Sequence, residues 1–112
     1  MGELNITKCF QLLEEVEKKK NELLETKKSK QIYGITCHLS VIWSDMGDML
    51  SDIEEAYDKK VEEYIVLSNS SLKRAEYVIN LQNEGLLRRK YKAKIKGIEK
   101  VLSNYRDLKN KK

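Results

Sequence analysis

Proline is absent from the 112 residues, glycine occurs five times, histidine once and cysteine twice, and aromatic residues make up only 7%. Without proline and with little glycine, the chain lacks most of the residues that end helices or build tight turns. A compact globule of this length usually needs more turn residues and aromatics, so an elongated or oligomeric helical protein fits better. No glycine-rich phosphate loop follows a strand, because no segment reads as a strand. The single histidine, His38, has no evident nucleophile and carboxylate to work with. Cys37-His38 is the only adjacent pair of soft ligands, and with no second histidine it cannot complete a tetrahedral zinc site within one chain. Enzyme activity is not expected, nor any cofactor or metal. No apolar run is long enough to span a bilayer, and Met1-Gly2-Glu3-Leu4 does not begin a secretory signal. A cytoplasmic location is the expectation, host cytoplasm if the source is viral. Cys9 and Cys37, about 28 residues apart on a helical path, lie beyond disulfide reach and are read as a reduced, partly buried pair.

What is abundant is charge, 36% of the chain, mixed with leucine and isoleucine. That is the composition of long helices and coiled coils. Residues 1–112 therefore read as one all-α domain, an elongated antiparallel three-helix bundle or coiled coil. The first helix is expected over about 5–30, with Ile6, Cys9, Leu13, Val16 and Leu23 on alternating three- and four-residue steps. Lys20 occupies one seam position. A break at Tyr33-Gly34, with Thr36 capping, would start the second helix over about 37–67. Its seam reads Leu39, Trp43, Met46, Leu50, Ile53, Tyr57, Val61 and Tyr64. Ser68-Asn69-Ser70-Ser71 marks the next turn. A third helix is expected over about 72–108, with Leu87, Tyr91, Ile95, Ile98, Leu102 and Tyr105 in its seam and a frayed tail at 109–112. A break at Gly85 would make the bundle four-helical. Each helix carries one narrow apolar stripe, so self-association into a homo-oligomer is expected.

The charges are segregated. Residues 86–112 hold eleven Lys or Arg against two acids, whereas 37–72 hold eight acids against two lysines. At 100° per residue, Arg89, Lys92, Lys96 and Lys100 fall opposite the seam of the last helix. Asp45, Asp48, Asp52 and Glu55 fall opposite the seam of the second. An internal acid–base zipper between these helices therefore explains little, and the two sets read as separate outward faces. Lys92, Lys96 and Lys100 repel one another at i, i+4 spacing. A cationic row of that kind suits phosphates. A solvated lysine-rich face needing no partner is the plain alternative. The acids lack the loop and glycine of a calcium site and read first as a solvated face. Four tyrosines lie in seams and read as core; Tyr77 is not assigned.

From Asp52 to Leu108 the cadence resembles small lysine-rich helical proteins encoded by tailed bacteriophages near replication or recombination genes. The segments are Ser71-Leu72-Lys73-Arg74-Ala75-Glu76, Arg88-Arg89-Lys90-Tyr91 and Ile98-Glu99-Lys100-Val101-Leu102-Ser103, with Arg106. In character the chain is also distantly similar to the UvsY type of recombination mediator, an oligomeric helical protein that binds single-stranded DNA. The resemblance implies an association with phage DNA metabolism; it leaves the first 35 residues uncovered and assigns no individual residue. The leading expectation is a non-enzymatic accessory protein that binds nucleic acid electrostatically through Arg88, Arg89, Lys92, Lys96 and Lys100. With no base-reading side chains in the row, sequence specificity would be weak. The rival is an adaptor, or a phage-encoded inhibitor of a host protein, acting through Asp45, Asp48, Asp52 and Glu55 or through the apolar seams. A structural coiled coil or assembly scaffold is the third reading.

Overall fold

A computed structural model of the chain describes residues 4–110, with side chains described for 4–105. The architecture is all-α: α1 (Ile6–Glu25), α2 (Ser29–Ser68), α3 (Leu72–Asn80) and α4 (Asn83–Asn110). They pack into an elongated body of 60 × 25 × 22 Å. The 40-residue α2 is the spine. Against it α4 runs antiparallel, with Trp43 opposite Glu99, Glu54 opposite Arg88 and Lys60 opposite Glu84. α1 runs parallel to α4: Cys9 meets Tyr91, and farther along Glu17 meets Lys94.

The core has two parts. Where α1 is present, Cys9, Leu13, Val16 and Leu23 close a three-helix interior with Leu39, Ile42, Met46 and Ile53 of α2 and Leu87, Tyr91 and Ile98 of α4. Beyond the start of α1, the end of α2 and the short α3 form a two-helix hairpin around Tyr57, Val61, Ala75 and Ile79. Its turn follows local chemistry. Asn69 takes the left-handed conformation at φ 50°, ψ 44° that ends α2. Ser71 then caps α3 by accepting from the Arg74 N–H.

The expected break at Tyr33-Gly34 does not occur: α2 passes through Gly34, and the chain turns at Thr26–Lys28 instead. A glycine inside a helix costs about 1 kcal/mol, which the partly buried Ile32 and Ile35 offset by packing on the core. After Leu23, by contrast, the next seam positions are Lys27 and Lys30, with no apolar side chain to hold α1 down. Thr26 turns extended, and its hydroxyl donates to the Glu22 carbonyl at 2.7 Å, satisfying one acceptor of the helix end. Thr36, expected as a cap, instead donates to the Tyr33 carbonyl inside α2. The two free cysteines thus lie on different helices, Cys9 buried and Cys37 exposed. At the other end, α4 continues through Lys109 and Asn110, where fraying was expected; the last two residues lie outside the described ones.

The last helical segment is divided, but at Leu81-Gln82 rather than at the glycine itself. Gly85 is buried in the first turn of α4 against the end of α3. Its φ is not positive, so the position calls for a missing Cβ and not for a special backbone conformation.

Two mid-helix glycines have no such reason. A Cβ at Gly34 or Gly47 would meet nothing within 4 Å, and both positions are exposed. Gly47→Ala is therefore expected to raise stability by about 0.5–1 kcal/mol, through helix propensity and a less flexible unfolded chain. Thermal unfolding followed by circular dichroism at 222 nm checks the sign.

Candidate nucleic-acid interface on helix α4

Helix α4 presents three kinds of cation. Toward α1 are Lys94, paired with Glu17, and Lys90, whose ammonium lies 6.0 Å from the centre of the Phe10 ring. Toward α2 are Arg88 and Lys92, which share Glu54 at 3.9 and 3.4 Å. Arg88 also lies 4.8 Å from the centre of the Tyr57 ring. Outward are Arg89, Lys96 and Lys100, all exposed and none ion-paired with a described residue. Arg89 donates to the Asn80 carbonyl at 3.2 Å, which ties the start of the outward row to the end of α3.

The five expected cations therefore do not behave alike. Arg88 and Lys92 turn sideways to an acid beside the seam, so a small part of the α2–α4 contact is a zipper after all. Its acid is Glu54, one position before Glu55 of the expected acidic row and about 100° round the helix from it. That rotation brings a carboxylate from the outer face to the flank, within reach of Arg88 and Lys92. Each of these ion pairs is partly solvated, worth a few tenths of a kcal/mol to about one.

Asp45, Asp48, Asp52 and Glu55 are all exposed, and none forms an ion pair with a described residue. They are spread along one face of a straight helix, so they do not converge. Among the described residues no group of three His, Cys, Asp or Glu side chains is placed to hold a metal ion. The one His contact to an acid is exposed: His38 Nε2 lies 3.3 Å from Glu15 Oε1 across the α1–α2 contact.

Trp43, expected in the seam, sits at the margin, 40% exposed, while Ile42 takes the buried position. Its indole N–H donates to Glu99 at 3.1 Å. An indole needs such a partner, and a boundary position supplies one without burying a polar group. The contact also occupies Glu99, the one acid interrupting the C-terminal row between Arg88 and Lys100. Lys20, the seam lysine, is half-buried with its Nζ over the α4 backbone, 3.7 Å from where a Cβ at Gly97 would stand. That is ordinary van der Waals distance, so the lysine does not require the glycine; its long side chain can bury its stem and keep its charge at the edge.

One feature escaped the sequence reading. Glu84, in the first turn of α4, is only 6% exposed and pairs with Lys60 at 3.4 Å. A carboxylate there also meets the positive end of the helix dipole. An acid directly preceding a glycine at a helix start was the available signal. No helix among the described residues is long and apolar enough to cross a membrane. No family model, no curated protein and no solved structure matches this chain.

Proposed function

We propose that the chain is a non-enzymatic nucleic-acid-binding accessory protein whose contact surface is the outward row of α4. The supporting observation is that Arg89, Lys96 and Lys100 stand exposed with no ion pair to a described residue, on a helix where Arg88, Lys90, Lys92 and Lys94 are already engaged. Cations that stabilised the bundle would face acids across a seam, as Lys94 and Lys92 do. Cations left in a row repel one another, and a polyphosphate backbone removes that repulsion while releasing its own counterions. Lys92 remains exposed enough to join the row, and Arg88 flanks it.

Binding of this kind is electrostatic and nearly blind to sequence. A salt titration with single- and double-stranded DNA tests it. Contact with four phosphates gives a log–log slope of about −3 to −4. Lys96→Glu with Lys100→Glu should reduce that slope by about two and weaken binding on every sequence alike. A flat salt response rules the reading out.

A second reading rests on the other stripe. Asp45, Asp48, Asp52 and Glu55 are equally exposed and unpaired, so an adaptor or inhibitor whose α2 face imitates phosphates on a basic protein partner is the alternative. Capture of one stoichiometric protein, lost on charge reversal at Asp48 and Asp52 but not at Lys96, would favour it over DNA binding.

A further inference from the structure

Residues 31–44 contain no Asp, Glu, Lys or Arg, the longest such run in a chain that is 36% charged. Half of the run is core: Leu39 and Ile42 are buried, and Ile32 and Ile35 pack partly against them. The other half is not. Taking about 100° per residue from Cys37, Tyr33, Val41 and Ser44 lie within about 40°, and Gly34 and Ser40 within about 60°. This stripe points away from Leu39, Ile42 and Met46, and all of it is exposed, Tyr33 by 64% and Val41 by 60%. A helix face open to water ordinarily carries charge. The same stripe does so farther along, at Asp48, Glu55 and Glu62. From Tyr33 to Ser44 it does not.

Charges of opposite sign bracket the uncharged stripe. Lys27, Lys28 and Lys30 precede it, and Asp45 and Asp48 follow it. All five are exposed, and none has an ion pair with a described residue. On the helical wheel Lys30 and Asp48 stand about 20° from Cys37, on the side toward α1 where Asp45 also lies. The pattern reverses its sign about Cys37.

We propose that two copies of the chain pair through this stripe, α2 against α2 and antiparallel, about a two-fold axis that crosses α2 at Cys37. Positions equally far from Cys37 on opposite sides then lie level. Lys30 comes within about one helical turn of both Asp45 and Asp48 of the second copy, and reciprocally. Tyr33 and Val41 are level and lean to opposite sides of the stripe. Tyr33 therefore meets Ser40 and Ser44 of the second copy, and Val41 meets Gly34, whose open side touches nothing within the chain. Bulk faces small side chains in both places.

Charge selects this occupant. A parallel pairing would set lysines against lysines and acids against acids, whereas the antiparallel one sets each group against its opposite. The acids also approach the positive end of the α2 dipole, which has no acid in its first turn and no side-chain cap at Lys28. Association breaks no ion pair among the described residues. It uses no residue of the α4 row, so it stands or falls apart from nucleic-acid binding.

Charge exchange within one chain tests the pairing. Sedimentation equilibrium under reducing conditions is run in about 10 mM salt, where the screening length is roughly 30 Å. The wild-type mass should rise with concentration toward twice the 13.1 kDa chain. Lys28→Glu with Lys30→Glu should weaken association at least about tenfold, as should Asp45→Lys with Asp48→Lys. All four substitutions in one chain restore the complement and should recover the wild-type value. Circular dichroism verifies that each variant is folded. Should a charge variant not fold, Val41→Lys, at an exposed position outside the core, sets a cation beside Lys30 of the second copy and should weaken association as much.

A thiol locates the axis. With helix axes about 10 Å apart, Cα atoms facing across the two-fold stand about 5 Å apart, within disulfide reach. Diamide should therefore join two Cys37 thiols, taking up the two electrons and two protons they release; Cys9 is buried. In Cys37→Ser with Ser51→Cys the thiol stays on the stripe, but its copy lies about 40 Å away and should not cross-link. A wild type that keeps the single-chain mass at every concentration overturns the proposal. So do charge variants that associate as the wild type does, a fourfold variant that fails to recover, or equal cross-linking from positions 37 and 51. None of these outcomes touches the salt dependence of DNA binding.

Discussion

Gly85→Ala is expected to destabilise the fold by about 3 kcal/mol, roughly 10–15 °C in melting temperature for a chain of this size. The same substitution at Gly47 should stabilise it, and the difference lies entirely in the surroundings. At Gly47 a new methyl group meets nothing. At Gly85 the Cβ would stand 2.4 Å from the Asn80 Cα and 2.6 Å from the Ile79 carbonyl oxygen. Those atoms belong to the backbone at the end of α3, so no rotamer change relieves the overlap. Only two responses are open. Either α3 and α4 separate, which draws Ala75 and Ile79 away from Tyr57 and Val61, or the Leu81-Gln82 bend straightens and lifts the whole of α3 off α2.

Both responses damage the same end of the molecule. Amide exchange should therefore quicken in α3 and in the last turns of α2 before it changes near Leu39 and Met46. The hairpin is vulnerable because it has two helices where the rest of the bundle has three, and its core rests on four buried side chains, Tyr57, Val61, Ala75 and Ile79. Melting curves of Gly85→Ala and Gly47→Ala, with exchange rates by region, decide the matter. Equal effects at the two glycines would show that the close approach at Gly85 contributes nothing.

The all-α class and the direction of each apolar stripe were legible in the sequence because three- and four-residue spacing reports a one-sided burial directly, whereas three helices were expected and four are present. Leu13, Val16, Met46, Ile53, Leu87 and Ile98 were identifiable in this way, and all are buried. The breaks were less legible. A glycine has the same letter whether it ends a helix, as expected at Gly34, or lets two backbones touch, as at Gly85. Only the partner surface distinguishes the two, and that surface comes from residues far along the chain. Trp43 was misplaced by one position for a related reason. Periodicity registers a tryptophan as apolar and does not register that its N–H needs an acceptor, here Glu99 from the opposite helix.

The candidate site shows the same division. The sequence identified which cations lie on the outer half of α4, since angle follows from position alone. It did not separate Arg88 and Lys92 from Lys96 and Lys100, because that depends on a single carboxylate, Glu54, at the right height on α2. Long flexible side chains cross from outer face to flank, and a helical wheel has no third dimension in which to show it. What separates the exposed cations of α4 from the engaged ones is thus whether an acid of α2 stands at the correct level beside the seam, as Glu54 does for Arg88 and Lys92.

Tyr91 carries the second large effect. It is the largest fully buried side chain, and its hydroxyl donates to the Cys9 carbonyl oxygen at 2.7 Å, joining α4 to α1 across the core. Tyr91→Ala is expected to cost about 3–5 kcal/mol, from the cavity and the lost aromatic area. Tyr91→Phe keeps the ring and removes only the hydrogen bond. The Cys9 carbonyl lies inside α1 and retains its helical partner, so that loss should be about 1 kcal/mol. The two variants separate packing from hydrogen bonding at one position. Alkaline pH isolates the hydroxyl further. Burial, and then the neighbouring Cys9, push the Tyr91 hydroxyl above the ordinary tyrosine range, so it stays protonated in the folded chain where an unfolded chain would ionise. The folded state then binds the extra proton, and stability falls as pH rises past about 10, the ordinary tyrosine value. Phenylalanine has no such proton. The stability advantage of the wild type over Tyr91→Phe should therefore be full at neutral pH and shrink above about pH 10. Burial also raises the Cys9 thiol, on which Tyr91 acts, so both proteins are compared in a Cys9→Ser background. Denaturant unfolding from pH 8 to 11 then reads the difference, because the lysines titrate equally in the two and cancel. An advantage that holds constant across the range would mean that Tyr91 ionises as easily inside the bundle as outside it.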